Sequence, residues 1–271
     1  MSTRLQARGS IGSLLQAWRK RRNLSQLALA TQADISPRHL CFLETGRSRP
    51  SREMVLLLAS ALDVPLRDRN VLLVAAGFAA VYPESEVSAP ELAAVRRALD
   101  AILRQQEPFP AIVMNRAWDV LSSNTAAQRF FGYLLSGREI PGPMNVLRMM
   151  FHPEGLRPHV ANWDEVAAAL VGRVHREAVG GVVDPRAQEL LAELLADPGV
   201  PRSAVTVDSL GRILPVVPVS FRKRDRVFNF FSTVTTLGTA QDITTQELRI
   251  ECFFPADEQT SRAAHNLARR A

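Results

Sequence analysis

Apolar positions recur every three to four residues over the first third of the chain, a spacing that predicts a run of short helices. Ile11, Leu14, Leu15 and Trp18 form such a stripe over residues 10–22. Leu27, Ala30 and Ala33 do so over residues 26–33, behind Ser25, whose hydroxyl can accept from a free N–H of the first turn. Asp34-Ile35 reads as a tight turn. Ser36 then caps the next helix, and Pro37 occupies its first position, where a missing N–H costs nothing. Leu40 and Leu43 face inward, while Arg38, His39 and Phe42 are left facing outward. Gly46 suits a left-handed C-cap. Ser51 opens a fourth helix with Met54, Val55, Leu58, Ala59 and Leu62 inward, and Pro65 opens a fifth that Gly77 stops. Five helices within residues 1–80 make a helical domain with a helix-turn-helix at its centre.

Beyond it the pattern changes. Residues 78–90 mix apolar residues with Pro, Ser and Glu and mark a domain boundary. A connecting amphipathic helix follows to about Gln106, within residues 81–107, with Leu92, Val95, Leu99, Ile102 and Leu103 on one face. Residues 111–114 read as a buried strand and 118–121 as its hairpin partner across Asn115-Arg116. Helices are expected from Asn124, from Asn145, and over 163–177 and 184–196. Residues 213–222, 227–237 and 248–254 are strand-like runs rich in Val, Phe, Thr and Ile. Two strands, then helices, then three strands predict a five-stranded antiparallel sheet with helices over one face, spanning residues 108–256 and able to enclose a hollow. Residues 257–271 read as a polar, frayed tail. The expected fold class is mainly α for the first domain and α+β for the second.

Composition narrows the function classes. A chain of 271 residues with 46% hydrophobic content supports about two cored domains. It has no apolar run long enough to insert in a membrane and no apolar leader, and its two cysteines lie far apart, so a cytoplasmic protein is expected. The net charge of +6 is concentrated: 12 lysines and arginines face 6 acids through Ser85, and the remainder is balanced. A polyanion partner for the first domain, and none for the second, is the direct electrostatic reading. No G-x-S-x-G, P-loop or H-E-x-x-H occurs, and the histidines lack zinc spacing with cysteines, so neither an enzyme nor a metal or cofactor protein is expected.

Three runs carry a resemblance: S-Q-x-x-L-A from Ser25, S-P-R-H-L from Ser36, and E-x-G-R-S-R-P-S from Glu44. Together they resemble the helix-turn-helix of the XRE family. The resemblance implies binding of double-stranded DNA, with the helix after Ser36 in the major groove. The implied contact set is Gln26, Ser36, Pro37, Arg38, His39, Phe42, Arg47 and Arg49. Gln26, Arg47 and Arg49 would lie along phosphates, and Pro37, Arg38, His39 and Phe42 would face bases. It also implies a buried Arg19–Glu44 ion pair. The base-facing positions lack the glutamines common in phage repressors, so no operator sequence carries over.

The runs RNVLLVAAGF, EPFPAIVMNRAWDVLSSN, NVLRMMFHPEGLRPHVANW and FSTVTTLGTAQDITTQELRIECFFPAD resemble MmyB-like transcription regulators. That implies a PAS-like domain holding a fatty-acid-like molecule. The mechanism expected of the whole chain is a homodimer reading two half-sites about one helical turn apart. The chain departs from the family over residues 203–210, where an aromatic-rich segment is usual. An amphiphile needs an apolar tunnel and a polar anchor. Met114, Trp118, Phe131, Met149 and Phe230, with Phe130, Met150, Phe228 and Phe253, are the candidate lining; plain core packing is the alternative. Arg148, His152, Asn162 and Trp163 are the candidate anchor, with Arg148 and His152 at i and i+4. The alternatives are an Arg148 paired with an acid such as Glu154 or Asp164, and a second domain that serves only dimerisation or a protein partner.

Overall fold

The computed structural model describes residues 9–138, 142, 144–180, 185–200, 216 and 218–269. Contacts divide the chain into two compact units, one up to Ser85 together with Thr239–Gln246, the other Glu86–Gly238 with the residues from Glu247 on.

The first unit contains α1 (Ile11–Arg21), α2 (Gln26–Gln32), α3 (Pro37–Glu44), α4 (Arg52–Ala61) and α5 (Leu66–Ala75). The first four begin in the same way: Ser10, Ser25, Ser36 and Ser51 each accept with the side chain from the N–H three residues on. Asn23, Asp34 and Asp63 follow three of these helices with φ of 54°, 50° and 47°, a conformation that short polar side chains tolerate. Gly46 takes φ 73° after α3, as its position predicts. Gly12 serves a different end. A Cβ there would lie 2.5 Å from the Glu44 carbonyl oxygen, so its absence lets α1 close onto α3. Leu15, Trp18, Leu29, Ala30, Leu40, Leu43, Val55, Leu58 and Leu62 fill the core. Leu27, expected inward, is 64% exposed, and Leu29 takes the buried place. In a seven-residue helix the stripe is too short to fix the rotation, and packing against α3 and α4 decides it.

The segment between the last two strands also belongs to this unit. The Ile243 N–H donates to Pro83 O at 2.9 Å, and the Ser85 N–H donates to Asp242 Oδ2 at 3.0 Å. Gln246 Oε1 accepts from the Leu66 N–H at 2.7 Å. That amide starts α5, which has no side-chain cap of its own.

The second unit is built on a five-stranded antiparallel sheet of β1 (Ala111–Met114), β2 (Val120–Ser123), β3 (Pro218–Lys223), β4 (Arg226–Thr235) and β5 (Arg249–Pro255), ordered β2-β1-β5-β4-β3. The first strand lies where it was expected, and the second begins two residues later, at Val120. Trp118 lies in the turn with φ 67° rather than in the strand, and a register shift follows at Met114. Residues 201–215 and 217 lie outside the described residues, so the departure at 203–210 and the early part of the expected third strand have no structural account.

Side-chain alternation gives the sheet two faces. Ala111, Val113, Ile250 and Cys252 share one, and α6 (Ala93–Gln105) covers it with Leu99 and Leu103. Helices were expected over one face; the amphipathic connecting helix instead covers the second. Opposite are Ile112, Phe221, Phe228, Phe230, Glu251 and Phe253, under α7 (Thr125–Leu135), α8 (Val146–Phe151), α9 (Trp163–Gly180) and α10 (Pro185–Ala196). A short helix, α11 (Ile243–Glu247), lies between β4 and β5.

The expected frayed tail is a helix, α12 (Glu258–Ala268). Asp257 caps it, accepting from the Thr260 N–H at 2.7 Å. Its buried residues are Thr260 and Ala264, and Thr260 Oγ1 accepts from the Asn229 N–H of β4 at 2.8 Å. Ala263 and Leu267 pack against the core beside them, so Leu267 is the one large apolar side chain this face displays.

Candidate functional site

In the first unit, a buried ion pair sets the geometry of the helix-turn-helix. Arg19 on α1 donates to Glu44 on α3 through Nε at 2.6 Å and Nη2 at 2.8 Å, and through Nη1 to Leu24 O at 2.9 Å. Gln26 Nε2 donates to the same carboxylate at 2.8 Å. Burial pushes the Glu44 carboxyl up, but hydrogen bonds from Arg19 and Gln26, with the charges of Arg19 and Lys20, hold it below the usual carboxylate range. The Arg19 guanidinium is held above its usual value, chiefly by that hydrogen bond. One carboxylate therefore ties α1, the start of α2 and the end of α3. Arg22 is structural as well: it donates to Leu62 O at 2.8 Å and Asp63 O at 2.5 Å.

The outward face of α3 carries Pro37 and Arg38, both exposed, with His39 and Phe42 half-buried. Ser36 Oγ accepts from the His39 N–H at 3.1 Å, so its first role is as a cap. Phe42 is flanked by two cations, with the Arg38 and Arg47 guanidinium carbons 5.3 and 6.0 Å from its ring centre. The aromatic ring thus aligns both arginines by cation–π contact. Arg47 and Arg49 are exposed.

The second unit contains an apolar cavity of about 330 Å³ between sheet and helices. Ile112, Val120, Val219, Phe221 and Phe253 line it from the sheet. Phe131 and Leu135 of α7, Met149 and Met150 of α8, and Val166, Ala169 and Leu170 of α9 line it from the helices. Its polar side chains are Ser123, Gln128, Arg173, Ser232 and Glu251.

Of the sequence candidates, Phe131, Met149, Met150 and Phe253 border this space, and Phe130 and Phe228 do not. Met114, Trp118 and Phe230 are buried in the surrounding core and do not line it. Trp118 Nε1 donates to Glu177 Oε2 at 3.1 Å. The proposed anchor group is dispersed. Arg148 is half exposed and pairs with Glu193 at 3.6 Å, a partner 45 positions further along the chain and not one of the nearer acids Glu154 and Asp164. α8 ends at Phe151, so His152 is its extended C-cap, with Nδ1 accepting from the Glu154 N–H at 3.1 Å. The shared helix face at i and i+4 does not form. Asn162 ties to β3, donating to Pro218 O and accepting from the Ser220 N–H, both at 2.9 Å. Trp163 Nε1 donates to Gly199 O at 2.7 Å.

The polar side of the cavity instead comes from Arg173 and Glu251. Glu177 Oε1 lies 3.3 Å from Arg173 Nε and 2.8 Å from Arg249 Nη1. Both guanidiniums flank the Trp118 ring, at 4.4 and 5.7 Å from its centre. Burial raises the Glu251 carboxyl above its ordinary value, opposed by a hydrogen bond from Ser232 and by the charge of Arg173. A signal for Glu251 was present in the run Ile250-Glu251-Cys252-Phe253, where alternation puts an acid on the same face as Phe253. Nothing local in the sequence marks Arg173, which an (i, i+4) glutamate makes look like a solvated pair.

Residues 95–267 match the family described as MmyB-like transcription regulator ligand binding domain, and residues 15–68 match the family described as Helix-turn-helix. A search of curated proteins finds no match. Among solved structures, the chain aligns with one titled "Structure of an RNA-binding Light-Oxygen-Voltage Receptor", at 12% identity and a TM-score of 0.29. The alignment covers 97% of the chain and 64% of that chain's length. The chain thus pairs a helix-turn-helix DNA-binding domain with a ligand-binding domain, and it belongs to the MmyB-like transcription regulator ligand binding domain family.

Proposed function

We propose that the protein is a sequence-specific transcriptional regulator that binds double-stranded DNA as a homodimer, under the control of a fatty-acid-like amphiphile held in a PAS-like second unit. The observation that carries the ligand part is the 330 Å³ cavity, apolar on most of its wall and polar at Arg173, Ser232 and Glu251. Its volume falls at the small end of the range for small-molecule sites. Methionines at 149 and 150 suit a flexible chain, because their side chains adapt to irregular volume.

On the DNA side, Arg38 reads a base edge in the major groove and Arg47 and Arg49 follow phosphates, with Gln26 positioned by Glu44 at the start of α2. Phe42 acts as the platform that aims Arg38 and Arg47. The homodimer places two copies of α3 on half-sites about one helical turn apart. Control is supported by chain continuity: β4 and β5 carry Ser232 and Glu251 of the cavity, and the segment joining them is bonded into the DNA-binding unit at Pro83, Ser85 and Leu66.

Extraction of the purified protein followed by mass spectrometry should release an amphiphile in stoichiometric amount. A protein that carries none and binds none would leave the second unit as a dimerisation module. Arg38→Ala should weaken binding to the selected operator by about 1–3 kcal/mol at one base pair. Unchanged selectivity at fixed salt would remove Arg38 as the reading residue.

A further inference from the structure

The amphiphile reading leaves the half-buried acid on the cavity wall without a role. Glu251 sits at the centre of the sheet, on the strand between β1 and β4, and its side chain borders the cavity. The charged groups around it are Arg173 and Glu177 on α9 and Arg249 two residues before it on its own strand. Towards the cavity, α7 contributes Gln128 as its polar side chain, while α8 contributes apolar ones; the sheet adds Ser123 and Ser232.

A charge count decides what this arrangement accepts. Among the described residues Arg173 and Arg249 share the carboxylate of Glu177, which, with Glu251 in its acid form, leaves one positive charge in a poorly solvated place. A cationic head group would bring a third positive charge beside two guanidiniums. A neutral head group leaves the excess charge as it was. An anionic head balances it, provided the neighbouring Glu251 is not also an anion, because two carboxylates in one apolar site cannot both ionise without a large penalty. A proton held between two carboxyl oxygens removes that repulsion and forms a strong charge-assisted hydrogen bond.

On the reading of the cavity as an amphiphile site, we infer that the ligand's polar end is a carboxylate received between Arg173 and Glu251, with Glu251 supplying the proton that the two carboxyl groups share. Binding is then linked to proton uptake. Burial already favours the acid form of Glu251, which lowers the cost of that uptake.

Three probes of equal chain length test this on the full chain: decanoic acid, 1-decanol and decylamine, titrated calorimetrically from about pH 6 to about pH 9. Decanoic acid should bind best. Its affinity should fall with rising pH, approaching about tenfold per pH unit once free Glu251 is ionised, while that of 1-decanol stays flat or falls less. Glu251→Gln keeps an N–H donor in place of the carboxyl O–H. It should bind decanoic acid at least as well as the parent does at high pH, and without the pH dependence. Arg173→Gln should weaken the acid by about tenfold or more and leave the alcohol unchanged. A preference for decylamine that Glu251→Gln abolishes would overturn the inference. So would binding of 1-decanol without the acid, or an acid affinity that ignores pH in the parent. If the parent binds none of the three probes, it is the amphiphile reading itself that fails.

Discussion

Each unit of the molecule holds one glutamate among its packed elements, Glu44 buried and Glu251 half-buried, and the two are held in opposite ways. Glu44 is closed on every side by protein donors: two from Arg19 and one from Gln26. Its carboxyl is held below the usual range. Glu251 meets Ser232 and the more distant charge of Arg173, borders an open cavity, and is pushed above the usual range. A buried acid whose hydrogen bonds are complete is architecture, because breaking it leaves charges stranded. A buried acid left incomplete beside a cavity has bonding capacity to offer a ligand.

The contrast can be broken most forcefully at Glu44. Glu44→Ala strands the Arg19 guanidinium and should cost about 3–5 kcal/mol in urea denaturation of the first unit's transition. A loss below about 1 kcal/mol would place the pair among surface ion pairs and remove the contrast. A smaller effect is expected from Asp257→Ala, which deletes the cap of α12 and its bond to Asn229 Nδ2 at 2.8 Å. That should cost about 1 kcal/mol, with the loss confined to the second unit. No loss would mean that the helix is held by its packed face of Thr260, Ala263, Ala264 and Leu267 without help from the cap.

The finest comparison is the pH dependence of stability, where the two glutamates should have opposite signs. The folded value of Glu44 lies below its unfolded one. Its contribution is therefore present above the ordinary carboxylate range and is lost as pH falls through the folded value. The folded value of Glu251 lies above its unfolded one. The native state keeps that proton longer, so stability falls as pH rises from the ordinary range through the folded value. Denaturation across pH should show Glu44→Gln flattening the acid side of the profile and Glu251→Gln flattening the other. If Glu251→Gln leaves that side unchanged, the carboxyl is better solvated than its position implies.

Legibility in the sequence divides along the same line. The serine caps, the Asp34 turn and the Gly46 stop of the first unit act within three or four residues, so the chain displays them directly. The five strands were readable as β-branched and aromatic runs, and their antiparallel pairing followed from their order. Leu27 and Leu29 could not be ranked, because one short helix offers both and only the packing of α3 and α4 selects. The tail helix is hard to read because its docking face sets one large apolar residue, Leu267, beside Thr260, Ala263 and Ala264, and its clearest local sign is the Asp257 cap.

The candidate anchor shows the limit most clearly. Arg148, His152, Asn162 and Trp163 are close in sequence, but the end of α8 at Phe151 and the bonds of Asn162 to β3 turn them to separate tasks. The polar end of the cavity joins Arg173 to Ser232 and Glu251, residues from a helix and two strands far apart in the chain. By itself the sequence determined the order of five helices before a five-stranded sheet, the helix-turn-helix and the excess positive charge around it, because caps, turns, periodicity and net charge are local or additive quantities. Tertiary structure alone decided which arginine meets the cavity and which glutamate is left incomplete. Those properties depend on the strand register and helix rotation that bring distant side chains together, and on how much water their meeting excludes.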